Sequence, residues 1–253
     1  MSKVNSGNLF VFLVENLIWV LVLVALIVFS LLSDKFLTPF NMVNLLVRVA
    51  ALGLLVIGQS FTLITGNFDL SSESTMGLTA MVGGLMIAST VNGGLGWEVN
   101  PLIAIVVMIV LGCAIGWING TLITKFKMNN FIVTVAMLMI LRGVTYAISP
   151  GQSTSFFPEM FDFLGGGSVL RIQLPTGRFL PIPAAAIFLV LMFAVGHVIT
   201  RYRRFGRNMY AVGSNRSAAD AAGIDSQRVI LVVYIISGLF AALAGLLEAG
   251  RMD

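Results

Sequence analysis

The sequence predicts an all-α fold, a polytopic transmembrane helical bundle, and three observations predict it. The first is composition: of 253 residues, 58% are hydrophobic and 10% charged, with a mean hydropathy of +0.98. A soluble domain carries about 25% charged and about 45–50% apolar residues, so this chain cannot present a hydrated surface over most of its area. The second is run length. Roughly 20 mostly apolar residues are needed to cross about 30 Å of hydrocarbon, and seven stretches reach or approach that length: 9–32, 43–64, 72–91, 101–123, 131–148, 182–200 and 229–249. The third is where the basic residues sit, which orients the runs.

The separators between runs are rich in turn residues: Asp34-Lys35, Asn92-Gly93-Gly94, 125–130 and the long segment 149–181. Lys and Arg concentrate in cytoplasmic loops. Segment 201–228 holds Arg201, Arg203, Arg204, Arg207, Arg216 and Arg228 against Asp220 and Asp225, an excess of four that equals the net charge of the chain. This segment is therefore expected in the cytoplasm. Counting spans backwards places Lys125 and Lys127 inside, 149–181 outside, 92–100 with its single Glu98 outside, and the N-terminus with Lys3 inside. A slipped span count would break this agreement. The seventh run would leave the C-terminus outside.

Small residues let helices approach closely in lipid. Gly112, Gly116 and Gly120 form a double GxxxG on the fourth run, and Ala241, Gly245 and Ala249 repeat the spacing on the seventh. Both are read as helix-packing positions, either within the chain or at a seam with another subunit.

Several function classes are excluded. There is no GxxxxGK[ST] phosphate loop, so the chain does not cradle nucleotide in that manner. The single Cys113 forms no internal disulfide and reads as a buried small hydrophobe. The single His197 has no Cys, His or carboxylate companions, so no metal site and no nucleophilic triad is expected. No span carries the file of ionisable residues that proton-coupled carriers use. The reading is a non-enzyme with no catalytic residues, binding no cofactor itself. The first run is too long for a secretory signal core and lacks a small-residue cleavage site.

Two polar segments carry the functional information. The first, 66–74, reads GNFDLSSES and is too short for an ordinary exposed loop. It is either a capped turn at the cytoplasmic surface, with Ser71 or Ser72 satisfying free N–H groups, or irregular backbone at membrane depth beside a substrate path. The second, 200–228, reads TRYRRFGRNMYAVGSNRSAADAAGIDSQR. Ser217 and Asp220 have the S-x-x-D spacing of a capping box, with Ser214 or Asn215 as alternative N-caps. The alanine-rich run from Ala218 to Ala222 favours helix, and Gly223-Ile224 reads as a left-handed stop with its hydrophobic contact. A helix of about two turns is predicted. So short a helix is marginal alone and needs a docking surface, either its own bundle and anionic headgroups or a cytoplasmic partner.

The segments 41–46, 66–71 (GNFDLS), 130–143 (NFIVTVAMLMILRG), 204–225 (RFGRNMYAVGSNRSAADAAGID) and 238–251 occur in order. Together they resemble the permease subunits of bacterial ribose, xylose and galactose-type ABC importers, over nearly the whole chain from about residue 43. The resemblance implies a single permease domain over 1–253 with 200–228 as its cytoplasmic coupling segment. It implies a bundle of about ten spans of roughly 20 residues each, of which seven are present here, so the chain is expected to lack its C-terminal spans. It also implies three protein partners: a cytoplasmic ATPase that carries ATP and magnesium, a periplasmic or surface-tethered sugar-binding protein, and a second permease subunit. Membrane lipid, and no nucleic acid, completes the set. The function implied is movement of a monosaccharide, pentose or hexose, across the cytoplasmic membrane. Branched-chain amino-acid permeases of the same superfamily and ion-coupled secondary transporters are the alternatives.

The resemblance assigns coupling to Arg204, Phe205, Gly206, Arg207, Gly213, Asn215, Ala218, Ala219, Ala222 and Gly223. A translocation path is expected along Asn67, Asp69, Ser71, Glu73 and Arg142. Two departures matter: Asn67 stands where relatives carry a second Gly, and Ser72-Glu73 where they carry Val-Gly, so the third run starts more polar here. Arg48 and Arg142 fall in the outer halves of their runs, where each either snorkels to the interface or lines an outer vestibule, where it can pair with Glu73. In the outer segment, Phe156, Phe157, Phe161 and Phe163 are candidates for contact with the binding protein or for anchoring at the membrane interface.

Overall fold

The computed structural model describes residues 6–149, 159–173 and 179–251. It divides into two compact units, 1–45 and 46–253. In the first unit, the apolar run becomes two helices, α1 (Ser6–Glu15) and α2 (Leu17–Leu32), interrupted at Asn16. The Asn16 side chain donates to the carbonyl of Phe12 at 2.9 Å, a local bond that competes with the helical ladder. No residue of α2 is buried. Phe29 and Phe36 lie with ring centroids 5.5 Å apart. Helix α3 (Pro39–Ile64) begins in this unit and continues into the second.

The second unit adds α4 (Ser72–Ile87), α5 (Pro101–Thr124), α6 (Asn130–Ile148), α7 (Glu159–Gly165), the strands β1 (Ser168–Gln173) and β2 (Phe179–Pro183), α8 (Ala184–Tyr202), α9 (Arg204–Ser214), α10 (Arg216–Ala221) and α11 (Ser226–Arg251). Among the described residues, five helices are long and apolar enough to span: α3, α5, α6, α8 and α11. Of the seven runs read from sequence, the two that fall short are those forming α1–α2 and α4. Helix α4 stops at Ile87, and a single 3₁₀ turn over Thr90–Asn92 with Gly93 at φ +80° takes up the rest of that run.

Helix α11 is the axis of the bundle. Two thirds of its most apolar window is buried (67%), against 17% for α6 and α8, whose large apolar side chains are mostly exposed on this chain. Its close partner is α5, and the seam is made of backbone. A Cβ on Gly112 would lie 2.4 Å from the Gly238 carbonyl, one on Gly116 2.2 Å from that of Tyr234, and one on Gly120 3.1 Å from the Leu231 Cα. On another face of α11, a Cβ on Gly245 would meet the Thr79 hydroxyl at 2.4 Å and the Met76 carbonyl at 2.7 Å, both on α4. Phe61 of α3 stacks on Phe240 of α11 at 6.1 Å.

The outer segment has regular structure that the sequence reading did not assign. α7 is followed by a two-stranded antiparallel hairpin with Leu170 opposite Ile182 and Ile172 opposite Leu180. The Ala184 N–H, opening α8, donates to the Gly167 carbonyl at 2.9 Å. Phe161 is fully buried and Phe163 exposed; Phe156 and Phe157 lie outside the described residues.

Candidate functional site

The segment between α3 and α4 is where the chain leaves helix inside the bundle. After Ile64 it reverses through Gly66, whose φ of +74° lies in the region that favours glycine, and runs without regular structure to Ser71. The depth of this break follows from its partners. The Tyr234 hydroxyl donates to the Phe68 carbonyl at 2.8 Å and the Ser237 hydroxyl to Asp69 Oδ2 at 2.6 Å. At 1.5 Å per residue, Tyr234 and Ser237 stand about 12 and 16 Å along α11 from Ser226. The break therefore climbs back from the α3 terminus into the membrane-spanning part of the bundle, and α4 starts there. That is why α4 is short. Of the two readings open from sequence, a capped surface turn is the one this geometry corrects. Ser71 occupies the N-cap position but makes no side-chain cap bond; its hydroxyl and N–H are both turned to Asp69.

Asp69 is the centre of a buried polar knot. Its Oδ1 accepts from the Ser71 N–H at 3.1 Å and the Ser71 hydroxyl at 2.6 Å, while Oδ2 takes the Ser237 hydroxyl. Asn119 of α5 donates through Nδ2 to Ser71 Oγ at 2.8 Å. Asp69, Ser71, Asn119 and Ser237 are each at most 3% exposed. Irregular backbone at this depth survives only when protein surrounds and satisfies it, and side chains from α5 and α11 meet that demand. The sequence reading missed Asn119, Tyr234 and Ser237; an amide alone in an apolar run was the available signal. Among the described residues, Asn119 Oδ1 has no hydrogen-bond partner.

The residues expected along a path thus divide. Asp69 and Ser71 are interior. Glu73 and Arg142 are both more than half exposed, and Arg142 Nη2 lies 2.6 Å from Glu73 Oε2. Arg142 stands about 18 Å along α6 from Asn130 and about 9 Å from Ile148, in the second half of the helix. Arg48 is also exposed. Asn67 lies at the arginine-rich end of the bundle, its Oδ1 accepting from Asn130 Nδ2 at 3.4 Å, and lines a cleft of about 540 Å³ with Lys127, Asn129, Asn130, Arg216 and Gln227.

The arginine-rich arm forms two helices where the sequence predicted one. α9 is an amphipathic helix absent from that reading. Gly206, Met209 and Val212 are buried, Phe205 is half-buried, and Arg204, Arg207 and Tyr210 are exposed. Close approach requires glycine twice: a Cβ on Gly206 would lie 2.1 Å from the Thr200 carbonyl, and one on Gly213 1.9 Å from that of Ile64. At the start of α10 the cap is Asn215, whose Oδ1 accepts from the Ala218 N–H at 3.0 Å, and no Ser217–Asp220 box forms. Asp220 instead faces forward, accepting from the Ser226 N–H at 3.1 Å and from the Ser226 hydroxyl. These bonds, Ser226's hydroxyl foremost, hold its carboxyl below the ordinary 3.8. Asp225 caps the same helix, α11, by accepting from the Arg228 N–H at 3.0 Å.

α10 ends in a Schellman motif. The Ile224 N–H bonds the Ala219 carbonyl and the Gly223 N–H that of Asp220, both at 3.0 Å, with Gly223 at φ +82°. Of the residues assigned to coupling, Ala219, Gly206 and half-buried Phe205 face the bundle, whereas Ala218, Ala222, Asn215 and Gly223 remain on the surface with the two arginines.

Residues 41–252 match the family model described as "Branched-chain amino acid transport system / permease component". The ribose import permease protein RbsC of Escherichia coli is 33% identical over 94% of this chain and 70% of its own length; that of Bacillus subtilis is 35% identical over 90% and 66%. The L-arabinose ABC transporter permease protein AraH of Azospirillum brasilense is 33% identical over 92% and 64%. No solved structure matches. Matched to this family model over most of its length, the chain belongs to the family of transport-system permease components, which are membrane transport subunits and not enzymes, and its five long apolar helices fit a multi-pass membrane protein.

Proposed function

We propose that this chain forms the translocation pathway of a monosaccharide importer, with the step powered by ATP hydrolysis on a cytoplasmic partner. The observation that carries the reading is the Glu73–Arg142 pair. Both charged side chains are more than half exposed on this chain, Glu73 in the first turn of α4 and Arg142 on α6. An Arg turned to lipid at the centre of a span costs at least about 2.5–3.5 kcal/mol on insertion scales, so in this proposal the pair faces water or another subunit, at the start of the helix that begins at the internal break. Carboxylate and guanidinium groups offer hydrogen bonds suited to sugar hydroxyls, and the relatives named above carry ribose and arabinose. The family model takes its description from amino-acid transport, so the substrate test has to include both classes.

The inner end supplies the coupling surface of this proposal. α10 seats Ala219 on its own bundle and leaves Ala218 and Ala222 outward, a small-residue face that a partner's groove can approach closely. The dock is completed by Asn215 and Gly223, with Arg204 and Arg207 beside it on α9. The external binding protein and a second permease copy remain part of the proposal, as does a cytoplasmic N-terminus.

Uptake of labelled pentose by cells expressing the chain with its partners tests both ends. E73Q and R142Q each are expected to lower uptake at least tenfold, the charge-exchanged double variant to recover part of it, and excess pentose but not leucine to compete. A218E is expected to abolish uptake while protein yield holds. Wild-type uptake in E73Q and R142Q would overturn the path; competition by leucine alone would move the substrate to amino acids.

A further inference from the structure

The inner ends of α3 and α8 part around a groove of about 190 Å³ that the transport reading does not use. Its walls are two matched helical stripes, Ile57, Phe61 and Ile64 on one side and Phe193, Gly196 and His197 on the other. The hydroxyls of the groove are already satisfied. The Thr200 hydroxyl donates to the Gly196 carbonyl at 3.0 Å and the Ser60 hydroxyl to that of Val56 at 2.7 Å, so apart from the His197 imidazole the lining is mainly apolar. Ser60, Phe193 and His197 are exposed on the outer face of the bundle, which opens the groove toward lipid.

At the mouth of the groove the chain turns sharply from α8 into α9. Arg203 is extended at φ −91°, ψ 153°, and Gly206 packs against the carbonyls of Ile199 and Thr200. The turn carries Arg201, Arg203, Arg204 and Arg207 within residues 201–207, and Arg207 Nη1 donates to the Tyr202 carbonyl at 3.5 Å. All four are exposed, and among the described residues none of them forms an ion pair. The buried face of α9, carrying Met209 and Val212, fixes the helix so that its arginines stay outside. His197 lies about 7.5 Å before the end of α8, so the groove is at acyl-chain depth and the arginines are at headgroup level. Exposed Tyr202, its ring 6.1 Å edge-on from His197, marks the boundary between the two.

We propose that this groove is a binding site for an anionic phospholipid of the adjoining leaflet, one acyl chain between α3 and α8 and the headgroup phosphate on the arginine elbow. Charge complementarity selects the occupant: four unpaired cations at the end of an apolar slot match a phosphate on an alkyl chain, and basic pockets between spans take acidic headgroups. A zwitterionic lipid offers the same tail without net charge and is retained less.

Native mass spectrometry of the detergent-purified chain, titrated with phosphatidylglycerol or phosphatidylcholine of equal chain length, tests this. Wild type is expected to retain phosphatidylglycerol at least fivefold better. The R201Q/R204Q/R207Q variant is expected to lose that preference. S60W, which fills the slot from an exposed position, is expected to lower retention of both lipids about equally. Headgroup without tails, as glycerophosphoglycerol, is expected not to compete. Equal retention of the two lipids by wild type overturns the proposal. So does undiminished phosphatidylglycerol preference in the triple variant, including the case where that variant fails to capture the ATPase; the arginines would then belong to the coupling contact alone.

Discussion

The chain leaves its helices at two polar places that differ in how deeply their bonds are buried. The break at 65–71 makes local bonds through Thr65, Asn67 and Ser71 and is tied across the bundle by Asn119 of α5 and by Tyr234 and Ser237 of α11. The arm at 203–225 secures itself with the Asn215 cap, the Schellman stop at Gly223 and the Asp220 and Asp225 bonds into α11. One is buried in a low-dielectric bundle where an orphaned polar group is costly; the other can exchange each bond for water. Under the proposed function the two serve different ends: the buried break would hold the start of α4 in place, and the arm is the part that a partner would move.

This contrast predicts a steep hierarchy of damage. D69A removes the acceptor of three buried donors, and each unsatisfied donor costs about 1–3 kcal/mol, so the fold is expected to lose at least ~3 kcal/mol. Thermal unfolding in detergent, followed by tryptophan emission, reports it. An unfolding midpoint unchanged from wild type would show that the knot does not hold the break.

Next in size is the seam that carries the break. G116V places branched carbon against the Tyr234 carbonyl, which a Cβ alone would approach to 2.2 Å. The α5–α11 contact must then open, at a cost at or above the ~1–3 kcal/mol of ordinary overpacking. G77A is the control. No atom lies within 4 Å of its Cβ, and alanine favours helix by up to about 1 kcal/mol. Equal stability of the two variants would remove glycine packing from the account.

The two regions also differ in how much of them could be read in advance. The arm was legible: its charge fixed its segment, and Gly223-Ile224 announced its end, because caps and stops are local chemistry. Even there, α9 went unread. Its buried face is set by Gly206 and Gly213 against carbonyls of other helices, which no spacing rule reports. Five of the seven expected spans were legible from hydropathy, whereas the first and third runs form shorter helices. The depth of 65–71 was not legible, because it depends on which residues of α11, 166 and 168 positions away, come to meet it. Glu73 and Arg142 could be named as candidates from charge alone, and their pairing was one of the two readings open for Arg142; the structure forms that pair.

On the arm the expected effects shrink to the scale of single caps. N215A removes the acceptor of the Ala218 N–H and is expected to cost about 1 kcal/mol locally. Faster amide exchange confined to 216–222, with the global midpoint unchanged, is the expected signature. Exchange spreading into α11 would mean that arm and bundle unfold together.

The smallest effect concerns the tether between arm and bundle, and its sign is fixed. The Asp220 carboxyl is held below its ordinary 3.8 chiefly by the Ser226 hydroxyl, then by the Ser226 N–H, with Arg216 adding in the same direction. A carboxyl whose value falls on folding contributes stability that is fully present above about 3.8 and is lost as pH drops through the lowered value. S226A deletes the first of these causes and keeps the backbone bond. Asp220 should then titrate nearer 3.8, and the arm should loosen at a higher pH than in wild type. Carbon-13 carboxylate titration of the chain in nanodiscs measures the midpoint directly; identical midpoints in the two proteins would assign the depression to Arg216 and the backbone instead, and leave the tether insensitive to Ser226.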